Sequence, residues 1–250
     1  MLKPWLRFFR VVNLPTVPGD VLVGAAAVAT GMSSGRFSVP FQFVAVAGLS
    51  SVFLYMFGLT DNDIVGAKTD EGRPISSGEI SLAAACLARL LCVALALALP
   101  LVGVLSISSF AVALLVVAAA FSYNRTKSCL LMGLCRGLNV LLGAAAVLDG
   151  CGSGAFAEVS SRGWLVLSVV VVAWTVYIAA VTRYSEGEED DPSLKFRVGM
   201  LVGAIVYLQL IVLVMIALCC AAVKPLLVVG AVLLVVLRLS KTMLPSVSAS

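Results

Sequence analysis

Residues 80–122 read ISLAAACLARLLCVALALALPLVGVLSISSFAVALLVVAAAFS, an apolar stretch in which Arg89 is the single charged residue. As one straight helix this stretch would be about 64 Å long, twice the ~30 Å hydrocarbon core of a bilayer. The chain therefore has to turn back within the stretch, and Pro100 is the predicted position of that turn. The stretch predicts two consecutive transmembrane helices.

The rest of the chain has the same character. Of its 250 residues, 61% are hydrophobic and only 12% are charged, and the mean hydropathy is +1.11. A soluble domain carries roughly twice that charged fraction, and so few polar side chains cannot cover a water-exposed surface. The composition excludes a soluble enzyme, a disordered chain and a secreted disulfide scaffold. It predicts an all-α polytopic transmembrane helical bundle, with residues 1–250 forming a single integral membrane domain.

Further apolar segments before and after this stretch give the number of spans. A spanning helix needs about 20 predominantly apolar residues. We expect about eight helices, the last one short, with nine as the alternative. The predicted spans are 14–32, 39–60, 80–99, 101–122, 129–148, 164–182, 198–222 and 225–239.

The lysine and arginine residues give the expected orientation, because cytoplasmic loops collect basic residues. With a cytoplasmic N-terminus, the outside loops hold only Arg36, Arg162 and Lys224. The inside segments then hold Lys3, Arg7, Arg10, Lys68, Arg73, Arg125, Lys127, Arg183, Lys195, Arg197, Arg238 and Lys241. We therefore expect a multi-pass protein of the bacterial cell membrane with both termini in the cytoplasm. The net charge of +4 reflects this topology and predicts no nucleic-acid partner.

Most of the 13 acidic residues lie in two predicted cytoplasmic loops, 61–79 and 183–197. In the first loop, Ser76 and Glu79 have the spacing of a capping box before the next helix. The capping box leaves carboxylates and one amide of this loop unexplained. Their oxygen atoms are of the kind that Mg²⁺ uses when it bridges a protein to a substrate phosphate. These residues include Asp61, Asn62, Asp63 and Asp70.

The second acidic loop offers a weaker pattern. Glu186 and Asp190 are four residues apart and share one face if the preceding helix continues that far. Five carboxylates within residues 186–191 repel one another unless a cation is present, although a solvated loop tolerates this repulsion. The spacing leaves a metal site and a solvated acidic loop equally open.

The order of these segments resembles the UbiA-type intramembrane prenyltransferases. Residues 62–70, NDIVGAKTD, are similar to the motif NDxxDxxxD of that family, with Gly66 in place of the middle aspartate, and residues 73–78, RPISSG, resemble RPIPSG. Glu186-x-x-x-Asp190 is a variant of the second motif, DxxxD. The segments around Arg10 and at 123–143 also resemble the family, so that the likeness covers residues 7–200.

The resemblance implies Mg²⁺-dependent transfer of a prenyl group from a prenyl diphosphate to an aromatic or lipid acceptor within the bilayer. It implies that Asp63, Asp70, Lys127 and Arg136 are catalytic. Mg²⁺ would be held by Asn62, Asp63 and Asp70 in the first loop and by Glu186 and Asp190 in the second. The residues expected at the diphosphate are Arg73, Tyr123, Lys127, Arg136, Asn13 and Asn139.

Some residues keep an alternative interpretation. Arg136 lies within a predicted span, where an unpaired charge costs about 3 kcal/mol, so it needs either a ligand or a structural partner such as Asp20. Arg89 is equally open to a buried pairing role. Because Gly66 and the second motif depart from the family pattern, a non-catalytic UbiA-like membrane protein or a small transporter remains the second hypothesis.

The predicted topology can be tested directly. An antibody should reach an epitope tag inserted in the loop 61–79 only after the cell membrane is permeabilised. It should reach a tag in 150–163 from outside without permeabilisation. A tag at 61–79 that is accessible from outside would contradict the topology, and the two-loop metal site with it.

Overall fold

The structure, a computed structural model, describes residues 2–32, 39–70, 72–104, 107–152, 154–186, 192–220 and 223–243. These residues form ten α-helices and one short 3₁₀ turn, Val11–Asn13. The helices are α1 (Leu2–Phe8), α2 (Thr16–Ala29), α3 (Phe41–Val65), α4 (Leu82–Val104), α5 (Ile107–Thr126), α6 (Cys129–Cys151), α7 (Ala155–Glu158), α8 (Ser161–Tyr184), α9 (Pro192–Cys219) and α10 (Lys224–Met243).

The all-α transmembrane bundle predicted from the sequence is confirmed. Each of the eight predicted spans corresponds to one helix, and seven helices in the described part of the chain are long and apolar enough to cross a bilayer. The eighth, α10, has its uncharged run between Lys224 and Arg238, which measures about 20 Å along a helix and falls short of the hydrocarbon core.

Two helix boundaries differ from the sequence prediction. The helix α3 continues to Val65, so that the first acidic segment begins within its last turns and not in a loop. The predicted capping box of Ser76 and Glu79 is wrong, because α4 begins at Leu82 and Ser81 accepts the capping bond from the Ala84 amide at 3.2 Å. Glu79 instead pairs with Arg7 at 3.1 Å.

Pro100 is not the position of the turn that the sequence predicted. It lies inside α4, which continues to Val104, and the next helix begins at Ile107. A proline within a helix leaves the carbonyl four residues earlier without its usual donor. Here that carbonyl belongs to Ala96, and the Ser50 hydroxyl of α3 donates to it at 2.7 Å. The neighbouring helix therefore satisfies the polar group that Pro100 leaves free, as membrane helices require.

The helices α2 and α6 form the centre of the bundle. In the spanning segment of α2, 78% of the residues are buried and in α6 61%, against 17% in α4. Both helices carry nearly the same sequence, DVLVGAAAV at 20–28 and NVLLGAAAV at 139–147, which differ only in the first and fourth positions. The small residues of this repeat allow two helix backbones to approach closely without lipid between them.

The two copies of the repeat contact each other reciprocally. A side chain on Gly24 would lie 1.8 Å from the Val140 carbonyl oxygen, and one on Gly143 would lie 1.9 Å from the Val21 carbonyl oxygen. Equivalent positions thus make equivalent contacts, which describes a local two-fold relation between α2 and α6. The close approach also brings the first residues of the two copies, Asp20 and Asn139, side by side.

Hydrogen bonds tie the segment around Asp149 and Ser160 to neighbouring helices. The Asp149 carboxylate accepts hydrogen bonds from the amide and hydroxyl of Ser109, both at 2.8 Å. The Ser160 amide donates to the Gly31 carbonyl at 2.9 Å. Asp149 therefore ties the end of α6 to the beginning of α5.

The role of Ser50 predicts a coupled effect on stability. Ser50→Ala leaves the Ala96 carbonyl buried without a donor and should lower the free energy of unfolding by about 1–3 kcal/mol. In a Pro100→Ala background the helix supplies its own amide, so the same substitution should cost less. A double-mutant cycle of thermal unfolding in detergent measures the coupling, and additive effects would contradict it.

A candidate active site

A cavity of about 150 Å³ lies between α2, α3, α5 and α6 at the end of the bundle that carries the acidic segment. Its lining combines apolar side chains, such as Val17, Leu54 and Val116, with polar ones. Four of the predicted site residues line the cavity: Asn62, Tyr123, Arg136 and Asn139. The cavity is therefore amphipathic.

The two predicted carboxylates of the first motif converge on one cation. Asp63 is buried at the end of α3, and the Arg73 guanidinium lies 2.5 Å from its Oδ1. The same guanidinium lies 3.1 Å from Asp70 Oδ2. A single positive group thus bridges both carboxylates, which places them within reach of one shared ion.

Gly66 explains how Asp70 reaches this position. The Asp70 amide donates to the Gly66 carbonyl at 2.8 Å, so the chain turns back over the end of α3. A side chain on Gly66 would lie only 2.3 Å from Asp70 Oδ2. The Asp70 carboxylate therefore occupies the space that a side chain at position 66 would need, and the departure from the family motif has a steric consequence.

Lys127 joins the site from the turn between α5 and α6. Its φ of +54° is a left-handed conformation that non-glycine residues rarely adopt, and such strain concentrates at functional sites. The turn directs the ammonium to the Asn62 side-chain oxygen. Burial lowers the pKa of Lys127, while the nearby Asp70 carboxylate opposes that shift. The lysine therefore loses its charge at a lower pH than a solvent-exposed lysine would.

The donor set fits one hard cation of the Mg²⁺ type. Asp63 and Asp70 offer carboxylate oxygens around one shared position, and Asn62 offers an amide oxygen beside them. The residues described contain no larger group of acidic, cysteine or histidine side chains suited to a metal ion. The site consists of a carboxylate pair with one amide.

Glu186 and Asn13 are predicted site residues that do not line the cavity. Glu186 is exposed just after α8 and pairs with Arg183. Asp190, the other predicted residue of the second motif, falls outside the described residues. Asn13 lies in the 3₁₀ turn Val11–Asn13 and is not among the residues that line the cavity.

Arg136 has the structural partner that the sequence left open. Its Nε lies 2.9 Å from Asp20 Oδ2, and its Nη2 donates to the Thr16 carbonyl at 3.0 Å. Asn139 donates to the Val17 carbonyl at 3.0 Å and to Asp20 at 3.3 Å. Arg136 is thus both paired with Asp20 and part of the cavity wall.

Arg89 has a purely structural environment. Asp61 is fully buried and receives Arg89 at 3.1 Å, Arg125 at 3.0 Å and the Asn124 amide at 2.9 Å. The ion pairs join α3, α4 and α5 beside the cavity. This arrangement agrees with the pairing interpretation of Arg89.

Arg10 is a cavity residue that the sequence analysis did not assign. It adopts a left-handed conformation with φ +43° between α1 and the 3₁₀ turn, and it lines the cavity. Within the residues described, its side chain makes no hydrogen bond or ion pair. Arg10 lies just before the first span, where a charge is expected at the membrane surface. This position is the feature of the sequence that could have identified it.

Comparison with known proteins agrees with this architecture. The model of the UbiA prenyltransferase family matches residues 21–244. A UbiA homolog from Archaeoglobus fulgidus bound to GPP and Mg²⁺ superposes with a TM-score of 0.55 at 18% identity, over 97% of this chain and 87% of that one. The structure of a digeranylgeranylglyceryl phosphate synthase superposes with a TM-score of 0.56 at 16% identity, over 99% and 97% of the two chains. A search of curated proteins finds no match.

The chain belongs to the UbiA prenyltransferase family. It is an integral, multi-pass membrane protein of that family. The structural matches, all well below 25% identity, independently show the same fold.

The steric relation between Gly66 and Asp70 predicts the effect of a single methyl group. Gly66→Ala should displace the Asp70 carboxylate and weaken Mn²⁺ binding, measured by electron paramagnetic resonance, by about tenfold, and Asp70→Asn should have the same effect. The double variant should bind no more weakly than Asp70→Asn alone. Gly48→Ala, within α3 and with room for the methyl group, is the control. Unchanged Mn²⁺ binding in Gly66→Ala would refute the relation.

Proposed function

We propose that the protein transfers a prenyl group from a prenyl diphosphate to a hydrophobic acceptor, aromatic or lipid, in an Mg²⁺-dependent reaction within the bilayer. The observation that supports this most directly is the convergence of Asp63 and Asp70 on one cation position beside an amphipathic, membrane-embedded cavity. A prenyl diphosphate has the matching shape, because it joins a long apolar tail to a strongly anionic head.

The two parts of the substrate bind in different places, the apolar tail in the cavity and the anionic head beside the acidic segment. The tail lies among apolar side chains such as Leu54 and Val116, and the head lies next to the acidic segment, near Asn62 and Tyr123. Mg²⁺, when bound, stabilises the negative charge that develops on the diphosphate as the C–O bond breaks. Asn62, Asp63 and Asp70 are the residues that would hold it.

The basic side chains neutralise the remaining charge of the diphosphate. Arg73 and Lys127 contact Asp63, Asp70 and Asn62 in the structure, and both can turn from these oxygens to phosphate oxygens when a cation takes their place. Arg136 and Arg10 face the same head group from the cavity wall. Charge-assisted contacts of this kind are about twice as strong as neutral hydrogen bonds.

The remaining predicted residues complete the proposal. Tyr123, Asn13 and Asn139 assist at the diphosphate, and Glu186 with Asp190 hold a second Mg²⁺ more loosely. The protein is proposed to act in a bacterial cell membrane, with both termini in the cytoplasm and the acidic segments facing the cytoplasmic supply of diphosphates.

The solved relatives support the donor more than the acceptor. The A. fulgidus homologs were solved with GPP or DMAPP together with Mg²⁺. Since one fold serves many acceptors, we leave the acceptor at the level of a hydrophobic aromatic or lipid compound.

The proposal is tested by incubating the purified full chain in nanodiscs with labelled prenyl diphosphates of several lengths, Mg²⁺ and a membrane lipid extract as the source of acceptor. We expect Mg²⁺-dependent release of diphosphate and a labelled lipid product with at least one donor. Asp63→Ala should lower the rate at least 100-fold, because it removes a charge that supports the leaving group.

Asp149→Asn is the matched control, because Asp149 joins two helices far from the cavity. It should keep the rate of the folded wild-type chain. No release with any donor, or equal rates for the wild type and Asp63→Ala, would refute catalysis and favour a non-catalytic UbiA-like membrane protein.

A further inference from the structure

Asp20 is fully buried and does not line the cavity. Its carboxylate nevertheless has more hydrogen-bond partners than any other buried side chain described near the cavity. Besides Arg136 and Asn139, two further donors reach its carboxylate. The Trp174 indole donates at 2.8 Å from α8, and the Gln209 amide donates at 2.7 Å from α9. Neither α8 nor α9 contributes a residue to the cavity wall. Four helices therefore meet at one carboxylate behind the cavity.

The way in which Arg136 meets Asp20 determines which part of the guanidinium faces the cavity. Nη2 donates to Asp20 Oδ1 at 3.2 Å, while Nε lies 2.9 Å from Asp20 Oδ2 as an ion pair without a hydrogen bond. A guanidinium is planar and rigid, so that one edge facing a carboxylate directs the remaining nitrogen away from it. That nitrogen, Nη1, has no hydrogen-bond partner among the described residues, and the residue lines the cavity.

The donors from α8 and α9 fix Asp20 itself. Gln209 also donates to the Thr16 carbonyl at 2.8 Å, the same oxygen that Arg136 contacts. Gln209 can approach this closely because Gly19 has no side chain, since a Cβ there would lie 2.0 Å from Gln209 Oε1. Four side chains contact the carboxylate and leave it little freedom to rotate. Because Arg136 is paired with this fixed carboxylate, the orientation of its guanidinium is restricted as well.

We propose that Asp20 is a positioning residue, which holds Arg136 so that Nη1 points into the cavity toward the anionic head of the prenyl diphosphate. Trp174 and Gln209 support Asp20 in this role from behind. This inference rests on the proposed function. It goes beyond that function because it assigns a role to residues that touch neither the substrate nor a metal ion.

Binding of an unreactive donor analogue tests the proposal without turnover. The probe is geranylgeranyl S-thiolodiphosphate with Mg²⁺, titrated calorimetrically into the purified full chain in detergent. Asp20→Asn should raise the Kd of the probe about tenfold or more. The double variant Asp20→Asn with Arg136→Gln should bind no more weakly than Arg136→Gln alone, because both substitutions remove the same contact.

A comparison of stability with affinity separates positioning from simple stabilisation. If Asp20 only stabilises the bundle, Asp20→Asn lowers the melting temperature but leaves the Kd of the folded protein unchanged. Asp149→Asn, which should lower stability alone, is the control.

Two milder variants keep the test decisive if Asp20→Asn does not fold. Trp174→Phe and Gln209→Leu each remove one donor from Asp20 outside the cavity, and each should raise the Kd by about threefold. Unchanged affinity in both folded variants would overturn the proposal. If the wild type turns over prenyl diphosphate while Asp20→Asn binds the probe normally, only this inference falls. If the wild type does not bind the probe, the proposed function and this inference both fall.

Discussion

The close contact between α2 and α6 is the interaction on which the rest of the structure depends. Gly24 and Gly143 let the two backbones meet, and no larger side chain fits at either position. In a bilayer, association of helices relies on such packing because lipid chains are as apolar as leucine. The contact brings Asp20 beside Arg136 and Asn139, and it sets the back wall of the cavity.

Polar groups are rare in this chain and almost all of those near the cavity are paired. Asp61 is paired with two arginines and an asparagine, and Arg73 is paired with two carboxylates. Asp20 is paired with one arginine and accepts hydrogen bonds from three neutral side chains. Each pairing joins different segments, so that the ion pairs hold helix ends together at the cavity. Arg10, which lines the cavity, has no ion pair or side-chain hydrogen bond within the described residues.

The site could be predicted in part from the sequence. The segment 62–73 and Lys127 were identified from residue types and resemblance, and the structure brings them together at one end of the bundle. Spacing could not show that Pro100 stays within a helix, because the donor that makes this possible is Ser50 on another helix. The repeat at 20–28 and 139–147 is visible in the sequence, but its meaning depends on the reciprocal contact.

The sequence by itself determined the membrane location, the number of long helices and the concentration of charge in a few segments, because hydropathy and length act locally along the chain. Only the tertiary structure decided which charges are neutralised by partners and which remain for a ligand. Asp20 with Arg136 and Asp61 with Arg89 pair across helices that are distant in the sequence. Such pairings follow from how helix faces pack, and no local pattern encodes them.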